Sequence, residues 1–135
     1  MMSISAEQLN DSLVNIDWPF FEDVKLITEQ DSSSDRHTIN SQITIQPELS
    51  YLVGHFPEQP IVPGVVQVHW VGELSKRFFA CDGFCSLKKV KFSNPILPMT
   101  TLQLSLSFSD SSNAVNFVYS DNQQTFSSGL VAFNE

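Results

Sequence analysis

The sequence is poor in positive charge and in cysteine. Seven Lys and Arg stand against fifteen Asp and Glu among 135 residues, giving a net charge of −8. A chain so acidic repels phosphate backbones, which argues against nucleic acid as a partner. Cysteine occurs only at Cys81 and Cys85, on either side of Gly83. With no second pair they make poor zinc ligands, and reduced thiols in a cytoplasmic protein are expected. Long apolar runs are missing too: none approaches the roughly 18–20 residues that span a bilayer. Met1 to Asn15 has neither a basic start nor a long apolar centre, so a signal peptide is not expected. No Gly-rich phosphate loop, metal-ligand cluster or Ser-His-Asp pattern with a nucleophile elbow is found. What remains is one globular domain over 1–135, with 1–15 as a loose N-terminal arm. It is large enough for a core and small enough to favour association.

Against this background one stretch is dense in special residues. Residues 54–70, from Gly54-His55-Phe56-Pro57 to His69-Trp70, hold three of the seven prolines, two of the five glycines and two of the three histidines. Pro57, Pro60 and Pro63 fix φ and remove backbone donors, so residues 54–63 predict a stiff extended loop. From Gly64 to Phe79 there is no proline and one internal glycine, Gly72. That predicts a helix with Pro63 at its head, where a missing N–H costs nothing. Val65, Val66, Val68, Trp70, Val71, Leu74, Phe78 and Phe79 cover nearly every face, which predicts a buried helix.

The flanking segments alternate as strands do. Ile39, Ser41, Ile43 and Ile45 share one face, opposite Thr38, Asn40, Gln42 and Thr44. Residues 22–29 form a weaker strand, joined to the next by the polar turn Asp31–Asp35. After the helix, 84–92 predicts a strand in which Leu87 and Val90 break alternation, so a bulge is expected there. Leu102, Leu104, Leu106 and Phe108, then Val115, Phe117 and Tyr119, then 126–133, complete four strands. Two strands, a helix and four strands amount to an α+β layout with one helix against an antiparallel sheet.

Gly54-His55-Phe56-Pro57-x-x-Pro60-x-x-Pro63-Gly64-Val65 resembles the signature of the β-hydroxyacyl-acyl carrier protein dehydratases, and within them the dehydratase-like (ApeI-like) proteins of aryl-polyene clusters. Trp18-Pro19-Phe20-Phe21 and Leu87-Lys88-Lys89-Val90-Lys91-Phe92-Ser93-Asn94-Pro95 are similar to flanking segments of that family. The likeness runs over about residues 16–133. It implies the hotdog fold, in which one long central helix is wrapped by a curved sheet of about six strands, and subunits that pair as homodimers or larger assemblies. It also implies removal of water from a 3-hydroxyacyl thioester to give the 2-enoyl thioester. His55 would then be the base that takes the α-proton, a role suited to imidazole near neutral pH. The N–H of Gly64, with Val65 assisting, would hold the thioester oxygen at the helix N-terminus. Gly64, lacking a side chain, would let the thioester approach.

Position 69 departs from the family pattern, which has a glutamate or aspartate there. His69 as imidazolium can still protonate a leaving hydroxyl, and Glu73, one turn along, could orient it. The acyl tunnel would have Phe56, Val62 and Pro63 near its mouth. No metal or organic cofactor is implied, since the phosphopantetheine arm arrives with the substrate, on acyl carrier protein or coenzyme A. Lys76, Arg77, Lys88, Lys89 and Lys91 are five of the seven basic residues. They read either as a solvated face with a favourable helix C-terminus or as a patch for an acidic carrier protein. Two other readings stay open. One is a thioesterase using Glu73 to activate water; the other is a non-catalytic subunit that binds carrier protein or pairs with an active dehydratase.

Overall fold

The computed structural model describes residues 6, 18–30, 35–46, 61–79, 81, 83–109 and 112–133. His55, Phe56 and most of the arm and motif loop lie outside the described residues. Among the described residues six strands and one long helix run in the order β1 (Phe20–Gln30), β2 (Asp35–Thr44), α1 (Gly64–Phe79), β3 (Phe84–Phe92), β4 (Thr101–Ser109), β5 (Ala114–Ser120) and β6 (Thr125–Phe133). The strands form one antiparallel sheet in the order β1-β2-β4-β5-β6-β3. The helix connection therefore carries the chain from β2 to the far edge; the link after β3 brings it back beside β2, and the meander β4, β5, β6 runs outward again to β3.

Alternation decides which face is buried. Ile39 and Ile43 of β2 pair with Leu106 and Leu102 of β4, and Leu104 and Leu106 of β4 with Tyr119 and Phe117 of β5. All of these side chains are buried in one core, as a sheet with one covered face requires. In β1 the inward set is Phe21, then Val24 and Leu26, a change of parity. A bulge between Glu22 and Lys25 inserts one residue, and Asp23 takes φ 52° there, so the core face is recovered on the far side. β3 contains two such shifts, with Lys89 at φ 55° in the second. The broken alternation at Leu87 and Val90 is the sequence trace of these bulges.

Helix α1 lays Val66, Gln67, Trp70, Val71, Leu74, Ser75, Phe78 and Phe79 on the sheet. Ser75 donates to the carbonyl of Val71 at 2.7 Å, so its hydroxyl is satisfied within the helix. The covered face stops there. Val65 is 76% exposed and His69 is exposed as well, because the apolar residues outnumber what one sheet can cover. Cys81 is buried and free, and burial pushes its thiol up to about 11, away from reactivity at neutral pH. Among the described residues no helix is long and apolar enough to cross a membrane.

Trp70 is completely buried. Trp70→Ala should cost about 3–5 kcal/mol of unfolding free energy, read from the midpoint of urea denaturation. A loss within 1 kcal/mol of wild type would mean that the helix does not seat this ring in the core.

Candidate functional site

The site grows from the first turn of α1. The carbonyl of Pro63 accepts the N–H of Val66 at 3.1 Å and of Gln67 at 3.2 Å. Gly64 and Val65 precede these donors, and their N–H groups make no hydrogen bond among the described residues. A helix N-terminus with free N–H groups carries partial positive charge, and no acidic side chain in the first turn neutralises it.

Beside this turn opens a cleft of about 580 Å³. Gly64, Val65, Val68, His69, Gly72, Glu73 and Lys76 form its helix side, and Leu87, Phe92 and Phe133 its sheet side. Its lining is almost wholly apolar, with His69, Glu73 and Lys76 as the exceptions. Gly64 also meets a steric constraint from the sheet side. A Cβ at position 64 would stand 2.7 Å from the Phe92 ring. The ring of Phe92, 53% exposed, therefore packs on the space the missing side chain leaves. Gly72 meets nothing within 4 Å, so the cleft stays open further along the helix.

His69 projects from the same side of the helix as Gly64, Val65 and Val68. Its ring lies 6.1 Å from the Trp18 indole, centroid to centroid, at 39°. Trp18 itself packs against the core from the chain just before β1. Glu73 does not orient His69: its carboxylate stands 3.5 Å from Lys76 Nζ, and no bond among the described residues joins it to His69. The ring neighbour that His69 does have is aromatic. Because His55 and Phe56 lie outside the described residues, only the Gly64–Val65 turn and His69 are placed together. Val62 is turned into the core instead of lining the cleft; its N–H donates to the Ile96 carbonyl at 2.8 Å. Pro63 is half-buried at the helix head and is likewise absent from the lining. Lys76 and Arg77 are exposed in the last turn of the helix, and Lys88, Lys89 and Lys91 on the edge strand β3.

Sequence reasoning missed three features: the Phe92–Gly64 contact, the Trp18–His69 contact and a buried polar cluster at Gln67. The first two join residues far apart in the chain, and no periodicity reports them. Gln67 could have been noticed, as a polar residue on a helix face otherwise made of Val66, Trp70, Val71 and Leu74.

Residues 29–130 match the family described as ApeI-like: ApeI dehydratase. An uncharacterized protein from Erwinia carotovora subsp. atroseptica has a crystal structure similar to this chain, with a TM-score of 0.75 and 27% identity, covering 87% of this chain and 96% of that one. The dehydratase heterocomplex ApeI:P from Xenorhabdus doucetiae is similar with a TM-score of 0.68 and 32% identity, covering 82% of this chain and 99% of that one. No curated protein matches the chain.

The Phe92 contact has a measurable consequence. Gly64→Ala should destabilise the fold by no more than about 1 kcal/mol, because the crowding atoms are the tip of a half-exposed ring on an edge strand that can give way, although alanine is ordinarily the better helix residue. In a Phe92→Ala background the penalty should vanish, a coupling that thermal denaturation of the four variants would resolve. Equal penalties in both backgrounds would remove the contact from the account.

Proposed function

The chain belongs to the ApeI-like dehydratase family, and from that premise we propose that it removes water from a 3-hydroxyacyl thioester carried on acyl carrier protein or coenzyme A. The observation that carries this reading is the pair of N–H groups at Gly64 and Val65, at the head of an apolar cleft that also holds His69. The thioester oxygen would accept from these donors, which strengthen as charge develops on it. His55 would take the α-proton, the electron pair of that C–H bond would form the C=C bond, and the C–O bond would break. His69 as imidazolium would give its proton to the departing hydroxyl, releasing water. His55 then holds a proton and His69 lacks one, and exchange through solvent restores the pair.

The Trp18 indole lies beside His69 on this side of the helix. The thioesterase reading has only Glu73 on the cleft wall in its favour, where its carboxylate stands 3.5 Å from Lys76 Nζ. The chemistry calls for no metal or organic cofactor. Lys88, Lys89 and Lys91 on β3, with Lys76 and Arg77, suit the phosphate and acidic surface of a loaded carrier protein.

A second subunit is part of the same proposal. The Xenorhabdus doucetiae relative stands in a heterocomplex; here β3 is an edge strand, and Leu87 and Phe92 on it are exposed. A homodimer, or a pair with a related chain, would cover them. The cytoplasm, where acyl carrier substrates are made, is the compartment this activity requires.

Mass spectrometry of 3-hydroxyacyl-carrier protein should show the acyl arm lose one water with the wild type. His55→Ala should slow that loss at least about 100-fold, and His69→Glu should slow it too, because the site is adapted to an imidazole. Release of free acid would make the protein a thioesterase. No change across several chain lengths, with a folded protein, would leave the partner-subunit reading.

A further inference from the structure

We propose that Gln67 is a positioning residue, which holds the helix N-terminus in register with the sheet so that the Gly64 and Val65 donors stand where the reaction needs them. This inference rests on the dehydratase reading. Gln67 is 3% exposed, in the middle of the apolar face of α1. Its side-chain Nε2 donates to the carbonyl of Val62 at 3.1 Å. Its Oε1 accepts the Ser127 hydroxyl of β6 at 2.6 Å. Its main-chain carbonyl accepts the Tyr119 hydroxyl of β5 at 2.7 Å. One residue therefore ties two central strands to the last apolar residue before the Pro63–Gly64 turn.

The orientation of the amide is determined by its partners. The Val62 carbonyl can only accept, so the NH2 group must face it, and the oxygen is left for the Ser127 hydroxyl. Tyr119 is wholly buried, which keeps its phenol protonated well above the ordinary range and therefore a donor. Val62 is held from both sides, by Gln67 at its carbonyl and by the Ile96 carbonyl at its N–H. No buried side-chain nitrogen or oxygen among the described residues lacks a partner.

A leucine at position 67 would fill a similar volume and bury more apolar surface. A buried polar cluster is not a cheap route to stability, since each group must be desolvated and then re-paired. What the cluster adds is direction: a helix packed only by hydrophobes can slide or rotate slightly, whereas these bonds admit one placement. The next residues along the chain from Val62 are Pro63 and Gly64, so the placement is delivered directly to the donor pair.

The test compares wild type with Gln67→Leu and Ser127→Ala, using dehydration kinetics and the amide resonances of isotope-labelled protein. Gln67→Leu should lower kcat about tenfold to 100-fold, the scale of a misplacement near 1 Å, with KM within about twofold. The Gly64 amide resonance should move while those of Thr28 and Glu29, on the outer edge strand β1, do not. Ser127→Ala, which frees the amide without removing it, should show the same pattern with a smaller loss of kcat. Unchanged kcat with an unmoved Gly64 amide would overturn the proposal, as would a loss confined to KM. Should Gln67→Leu not fold, Ser127→Ala decides by the same criteria. If the wild type itself dehydrates nothing, the dehydratase reading fails on kinetics, and the Gly64 resonance alone decides whether Gln67 holds the helix head.

Discussion

Helix α1 carries apolar side chains around more of its circumference than one sheet can cover. Trp70, Val71, Leu74 and Phe78 fill the sheet side, and the burial of these large groups is the main force that seats the helix. Val65, Val68 and Gly72 are left on the other side, and the edge strand β3 does not close over them. A cleft results, and it begins at the one end of the helix that can bind developing negative charge. The site is thus a consequence of how the core is filled. The same surplus makes a second subunit physically reasonable, since exposed apolar surface of this kind is usually covered.

Much of the fold was legible in the chain because its signals are local. The period-two pattern of Ile39, Ser41, Ile43 and Ile45 needs only the strand itself, and so do the leucines of β4. Pro63 and Gly64 mark the helix start by their own backbone chemistry. The broken rhythm at Leu87 and Val90 predicted a bulge, and β3 has two register shifts. In β1 the bulge at Asp23 went unread, since Val24 and Leu26 alone give no hint that Phe21 belongs to the same face.

The site was legible only in part. The turn at Gly64 and the neighbourhood of His69 follow from one motif and its helix, and they lie on the same cleft. A second constraint on Gly64 was not legible: the ring of Phe92 takes the space a side chain would occupy, a contact between residues far apart in the chain. The partner of Glu73 is Lys76, three residues on, where His69 had been expected. Both helix pairings are sterically open, and sequence spacing alone does not choose between them. Trp18 beside His69 and the Gln67 cluster depend on tertiary placement.

Dehydration and hydration share one transition state, so the reverse direction reports the site's chemistry without its leaving group. The most direct measurement is to incubate a 2-enoyl thioester with the protein in deuterated water and read the product by mass spectrometry. The expected product is a 3-hydroxyacyl thioester carrying a single deuterium at the α-carbon, delivered from the base. Free acid with an untouched double bond, or an enoyl thioester recovered unchanged from folded protein, would contradict it.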